Sequence, residues 1–106
     1  MLEFEISGSL NREAVDKLRQ DLDGIRVGLQ SGLGGERLLK ILGDLSEKQI
    51  DRIRAFLLRM LGSDQIGRIV IKSDSIEIAN VSASNLDEIQ TLIGDLAQHV
   101  RPAKRK

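Results

Sequence analysis

Few side chains in this 106-residue sequence are equipped for chemistry. It holds one histidine, His99, and no cysteine, which excludes a thiolate nucleophile and every zinc or iron–sulfur site built on thiolates. His99 falls near the end of an apolar-periodic segment, where an imidazole interacts favourably with the last carbonyls of a helix. Two pairs of neighbouring acids, Glu3/Glu5 and Asp87/Glu88, have the residue types for general acid–base work. That work needs one carboxyl kept protonated by burial beside another left ionised in water. The flanking residues mark neither pair in that way, so both read as parts of solvated faces. No serine lies in a Gly-x-Ser-x-Gly elbow, and a lone histidine far along the chain leaves little from which to build a triad. The chemistry-bearing residues therefore predict a protein that is not an enzyme and that holds no cofactor and no metal.

The stretch Gln30-Ser31-Gly32-Leu33-Gly34-Gly35 reads as a flexible connection from a strand into a short helix over 36–42. Backbone amides at a helix N-terminus can cradle a phosphate. Neither Gly-x-Gly-x-x-Gly nor Gly-Lys-Ser/Thr is present, however, and Glu36 puts an anion where a phosphate would sit. The Gly-x-x-Gly from Gly32 to Gly35 resembles the loop of KH-type nucleic-acid binders, and the strand and helix expected over 75–98 are similar to the end of that fold. The resemblance implies a loop that clamps a nucleic-acid backbone between two helices, with Gly32, Gly34, Gly35 and Arg37 as contacts. The terminal Arg101-Pro102-Ala103-Lys104-Arg105-Lys106 carries four bases in six residues, making Arg101, Lys104, Arg105 and Lys106 candidate contacts to nucleic acid or to an acidic partner. With only Phe4 and Phe56 aromatic, the chain offers no stacking platform for single strands.

Charge sharpens that choice. The whole sequence balances 16 Lys and Arg against 16 Asp and Glu. Residues 101–106 hold four of the bases and none of the acids, which leaves 1–100 with a net charge of −4. A net acidic body repels phosphate, so affinity for anions is expected to reside in the last six residues, and such binding would be weak and salt-sensitive. With 41% hydrophobic and 30% charged residues, the chain has the composition of a soluble globular protein of one domain, residues 1–100, followed by a flexible basic tail. Acids in Met1-Leu2-Glu3-Phe4-Glu5 argue against a secretory leader, and no apolar run is long enough to cross a membrane. Absence of cysteine fits the cytoplasm.

The elements that position these residues follow from periodicity. Leu2, Phe4 and Ile6 alternate with Glu3 and Glu5, predicting a half-buried strand over 2–7. Asn11 suits a helix N-cap, and Ala14, Val15, Leu18 and Leu22 supply the apolar stripe of a helix to about 22. Ile25, Val27 and Leu29 predict a second strand over 25–30, joined to the first by a right-handed crossover and hence parallel to it. Ser46 with Gln49 fits a capping box ahead of a helix over 46–61. Residues 67–79 read as a hairpin whose loop, Ser73-Asp74, sets Ile71 opposite Ile76 and Ile69 opposite Ile78. Ser84 is expected to cap a last helix to about 98. The order β-α-β-α-α-β-β-α gives an α+β two-layer sandwich, with a four-stranded mixed sheet and helices on one face. Its other face, with Glu3, Glu5, Arg26, Gln30, Arg68, Lys72 and Glu77, is either solvated or an interface.

This layout resembles the effector-associated adaptor domains of bacterial conflict and signalling systems. The residues that carry the resemblance are the first strand and helix from Leu2 to Leu22, the glycine-rich break before an apolar segment from Gly32 to Leu42, and the closing Ile69-Val70-Ile71-Lys72, Ile76-Glu77-Ile78 and Leu86-Asp87-Glu88-Ile89. The resemblance implies a non-enzymatic module that couples a sensor to an effector by docking on another protein or on itself as an oligomer. The sequence is accordingly read as a protein–protein interaction module, docking through a sheet edge or through the outer face of the helix at 46–61. A KH-like nucleic-acid binder is the alternative.

Overall fold

The computed structural model describes residues 1–100, with the side chains of all but Leu33, His99 and Val100. The basic tail, with Arg101, Lys104, Arg105 and Lys106, and the His99 imidazole therefore lie outside the described residues. Strand β1 (Leu2–Gly8) leads to helix α1 (Arg12–Asp21), then β2 (Arg26–Ser31), β3 (Arg37–Gly43), α2 (Glu47–Gly62), β4 (Ile66–Ser73), β5 (Ile76–Ser82), α3 (Leu86–Gly94) and α4 (Leu96–Val100). The sheet order is β2-β3-β1-β4-β5, and every pairing is antiparallel.

The α+β class holds, but the expected four-stranded mixed sheet is corrected to a five-stranded antiparallel one. The segment predicted as a helix over 36–42 is strand β3, which pairs with both β1 and β2. It lies between those two strands, which are each antiparallel to β3 and so run parallel to one another, as expected, joined through α1 across β3 but not hydrogen-bonded to each other. The cause lies in Leu38, Leu39, Ile41 and Leu42, whose spacing satisfies a helical stripe as readily as a strand with apolar residues on both faces. Leu39 and Ile41 are fully buried, whereas Leu38 and Leu42 are half-buried on the opposite face.

Two rows of side chains cross the sheet on the helix side: Val27, Ile41, Phe4, Ile71 and Ala79, then Leu29, Leu39, Ile6, Ile69 and Val81. These residues form one core with Leu18 of α1, Ile53 and Leu57 of α2, and Ile89 and Ile93 of α3. No polar or charged residue is buried among the described side chains. The other face is open, mixed in charge and studded with Leu38, Leu42 and Val70.

Local signals fixed the helix starts. Asn11 Oδ1 accepts the Ala14 N–H at 3.0 Å. At α2 the reciprocal capping box forms, with the Gln49 N–H donating to Ser46 Oγ and the Ser46 N–H to Gln49 Oε1. Ser46→Ala is expected to cost about 1 kcal/mol, read as a fall in melting temperature of roughly 4–8 °C for a domain of this size.

The closing elements depart in register. Asp74 and Ser75, both at positive φ (50° and 71°), form the two-residue turn that left-handed central positions favour. Ser73 therefore faces Ile76 and Lys72 faces Glu77. A bulge then places Ile71 opposite Ala79 and Ile69 opposite Val81, correcting the expected pairing with Ile76 and Ile78. One inserted residue reverses the parity that alternation alone assigns. Asn85 rather than Ser84 caps α3, and the expected single helix is divided at Gly94-Asp95, with Leu96 still in the core.

Candidate functional site

The two acid pairs take different positions. Glu3 and Glu5 lie on the open sheet face, between β3 and β4, where Lys72 Nζ donates to Glu5 Oε2 at 3.2 Å. Burial pushes the Glu5 carboxyl up, but its hydrogen bonds with Glu3 and Lys72 and the charges of Lys72 and Lys40 outweigh this, so it titrates below its ordinary value. A depressed folded-state value stabilises the protein above the unfolded carboxyl's pKa, and that contribution is lost as pH falls through the folded value. Lys72→Ala is expected to move the Glu5 titration upward, towards the ordinary value, when followed by NMR. The cost at neutral pH should stay below about 1 kcal/mol, as for other accessible pairs.

Gly32, Gly34 and Gly35 form the turn of the β2–β3 hairpin. The Gly32 N–H donates to the Glu36 carbonyl at 2.7 Å, and Gly34 and Gly35 adopt φ of 73° and 81°. Glycine is needed there because such backbone is costly for residues with a Cβ. Arg37 Nη1 donates to the Leu10 carbonyl at 2.6 Å and ties β3 to the start of α1. The structure thus brings the three glycines close to Arg37, but as a strand–strand turn with no helix on either side. The loop holds a single 3-10 turn, Leu33–Gly35, so neither an α-helix N-terminus for phosphate nor a clamp between two helices is present there.

Of the recesses elsewhere on the described surface, two bear on docking. Between α1 and α2, a groove of about 140 Å³ has Leu18 and Phe56 beneath Lys17, Arg52 and Arg59, with Asp21 at its side. It occupies part of the α2 face where docking was expected. A larger groove of about 430 Å³ runs between the outermost strand β5 and helix α3. Half-buried Ala79 and Val81 and buried Leu92 line its base, Ile78 its outer wall, and Asp87 and Glu88 its rim.

Beside this groove the β5 edge stands uncovered. Ile76 is 68% exposed and Ile78 41%. Ile78 has no cross-strand partner, because the bulge passes over it. Both isoleucines were expected in the core, and the bulge that displaces them left no mark in the alternation. A different signal does point here. From Ser73 to Val100 the chain has Asp74, Glu77, Asp87, Glu88 and Asp95 and no lysine or arginine; Asp74 pairs with the Met1 ammonium and Glu77 faces Lys72, which leaves Asp87 and Glu88 as the acids at the groove.

Among the described residues no group of three or more His, Asp or Glu could hold a metal ion, and no helix is long and apolar enough to cross a membrane. No family model, no curated protein and no solved structure matches the chain.

Proposed function

We propose that this chain is a small non-enzymatic protein–protein interaction module, adaptor-like in role, that docks its partner along the β5 edge. The observation that carries this reading is an outer strand with large apolar side chains exposed. β5 exposes Ile76 and Ile78 and has neither proline nor lysine; Glu77 and the bulge at Ile78 are the features on it that blunt an edge against further strands. Large apolar side chains exposed beside unpaired backbone groups favour association. A cysteine-free composition agrees with work in the cytoplasm. The −4 charge of residues 1–100 and the strand–strand setting of Gly32–Gly35 both weigh against nucleic acid as the partner.

A photo-crosslinking amino acid placed at Ile76, and in a second sample at exposed Gln20 on α1, tests the reading in cells. Discrete adducts from position 76 that position 20 does not form are expected. Their mass separates a second copy of the chain from a different protein. No adduct at 76, or the same adducts from both positions, would remove the β5 edge as the docking surface.

A further inference from the structure

The two sheet edges are unequal as acceptors. β2 has Gly28 at its centre, with open space around the position a Cβ would take, so it offers a neighbouring strand little to grip. β5 runs for seven residues beside a groove that already has an apolar base and an anionic rim. Acids in the first turn of α3 complement the helix dipole on their own account. Here, however, Asp87 and Glu88 also stand over an apolar recess, and neither takes part in an ion pair among the described residues.

We infer that β5 accepts a cationic extended segment of another protein as a sixth strand. On the helix side, that segment presents apolar side chains alternating with lysine or arginine along the β5–α3 groove. The inference rests on the docking reading above and names the chemistry of the partner. Main-chain hydrogen bonds to the open edge supply affinity without sequence preference, and the groove supplies selectivity through every second side chain. Apolar side chains pack against Ile78, Val81 and Leu92. The methylene stem of a lysine or arginine lies across the same base while its charged end reaches Asp87 or Glu88. Side chains on the other face meet Glu77 and Asn80 and are polar. An acidic segment of the same shape would set its carboxylates against Asp87 and Glu88 and be rejected, so the rim discriminates by repulsion as well as attraction.

The test uses the full chain and a capped peptide, Thr-Val-Thr-Lys-Thr-Val-Thr-Lys, in which valine and lysine share one face. Its counterpart has glutamate for lysine. Binding of the lysine peptide should move the amide signals of residues 76–82 and 87–92 in NMR spectra. The glutamate peptide should bind at least tenfold more weakly. Asp87→Lys with Glu88→Lys should weaken the lysine peptide at least tenfold, and Asp87→Asn with Glu88→Gln, which is gentler on the helix, by a smaller factor in the same direction. Arg52→Glu in α2 should leave binding unchanged. Equal affinity for the two peptides, shifts confined to the α1–α2 groove, or indifference to both rim variants would overturn the inference. A tenfold gain in affinity on deleting residues 101–106 would make the chain's own tail the occupant, and dimerisation abolished by the rim variants would make it a second copy. Either result also overturns the inference. Crosslinking at Ile76 that survives the rim variants would leave the docking reading standing while this inference fails.

Discussion

Gly8→Ala is expected to destabilise the protein by about 3 kcal/mol or more, a large share of the 5–15 kcal/mol typical of a whole domain. Gly8 ends the central strand at φ 151°, where its register against β4 shifts between Ser7 and Gly8. A Cβ at this position would lie 2.0 Å from the Gln65 carbonyl oxygen and 2.8 Å from the Gly67 nitrogen. Both are backbone atoms, so no rotamer change relieves the contact. Gln65 is itself held, its N–H donating to the Met60 carbonyl and its side chain accepting the Asn11 N–H. The end of β1 would have to part from β4. Gly34→Ala is the control: it shares a positive φ, 73°, but has nothing within 4 Å, so only the left-handed backbone counts and about 1 kcal/mol is expected. Thermal unfolding followed by circular dichroism reads both. A Gly8→Ala variant melting within about 4 °C of the parent would show that β1 and β4 do not approach this closely.

The parts of the fold legible in the sequence are those set by one element and its own neighbours. β1 announces itself by alternation and α2 by a capping box with an apolar stripe, and both form as expected. What was not legible depends on how one strand pairs with another. Leu38, Leu39, Ile41 and Leu42 fit a helical stripe, and only the arrival of β1 on one side and β2 on the other gives the segment its strand partners. Alternation in β5 is genuine, yet a bulge is a property of the pairing, and it turned two expected core isoleucines into the exposed wall of a groove.

The candidate site shows the same division. The glycine-rich turn drew notice because its composition is local and conspicuous, but glycine there meets the demands of a strand–strand turn at positive φ. The acidic rim is Asp87 and Glu88 in the first turn of α3. It becomes a surface only when β5 and α3 are placed side by side, and the zero net charge of the whole sequence conceals it because the four compensating bases stand in residues 101–106.

Ile41→Asp is expected to remove most or all of the stability at neutral pH, whereas Leu42→Asp, one residue on, should cost about 1 kcal/mol. The contrast rests on strand parity. Ile41 is fully buried between Val27 of β2 and Phe4 of β1, in a core whose described side chains include nothing polar, so a carboxylate there has no donor or cation to meet. Burying such a group unpaired costs several kcal/mol unless it takes up a proton. Its folded-state pKa is then raised above the unfolded value of about 4. The variant's deficit is accordingly smallest below pH 4 and grows by about 1.4 kcal/mol per pH unit as pH rises, until the folded value is passed. Leu42 is half-buried on the open face, opposite Arg26 on β2 and Glu3 on β1, where water reaches a carboxylate and Arg26 offsets Glu3. Its deficit should hardly change with pH. Denaturant unfolding of both variants at pH 4 and pH 7 provides the measurement. On a helix over 36–42 the two positions would lie only about 100° apart and share the apolar stripe, so equal deficits with equal pH dependence would contradict β3 as a strand and with it the five-stranded sheet.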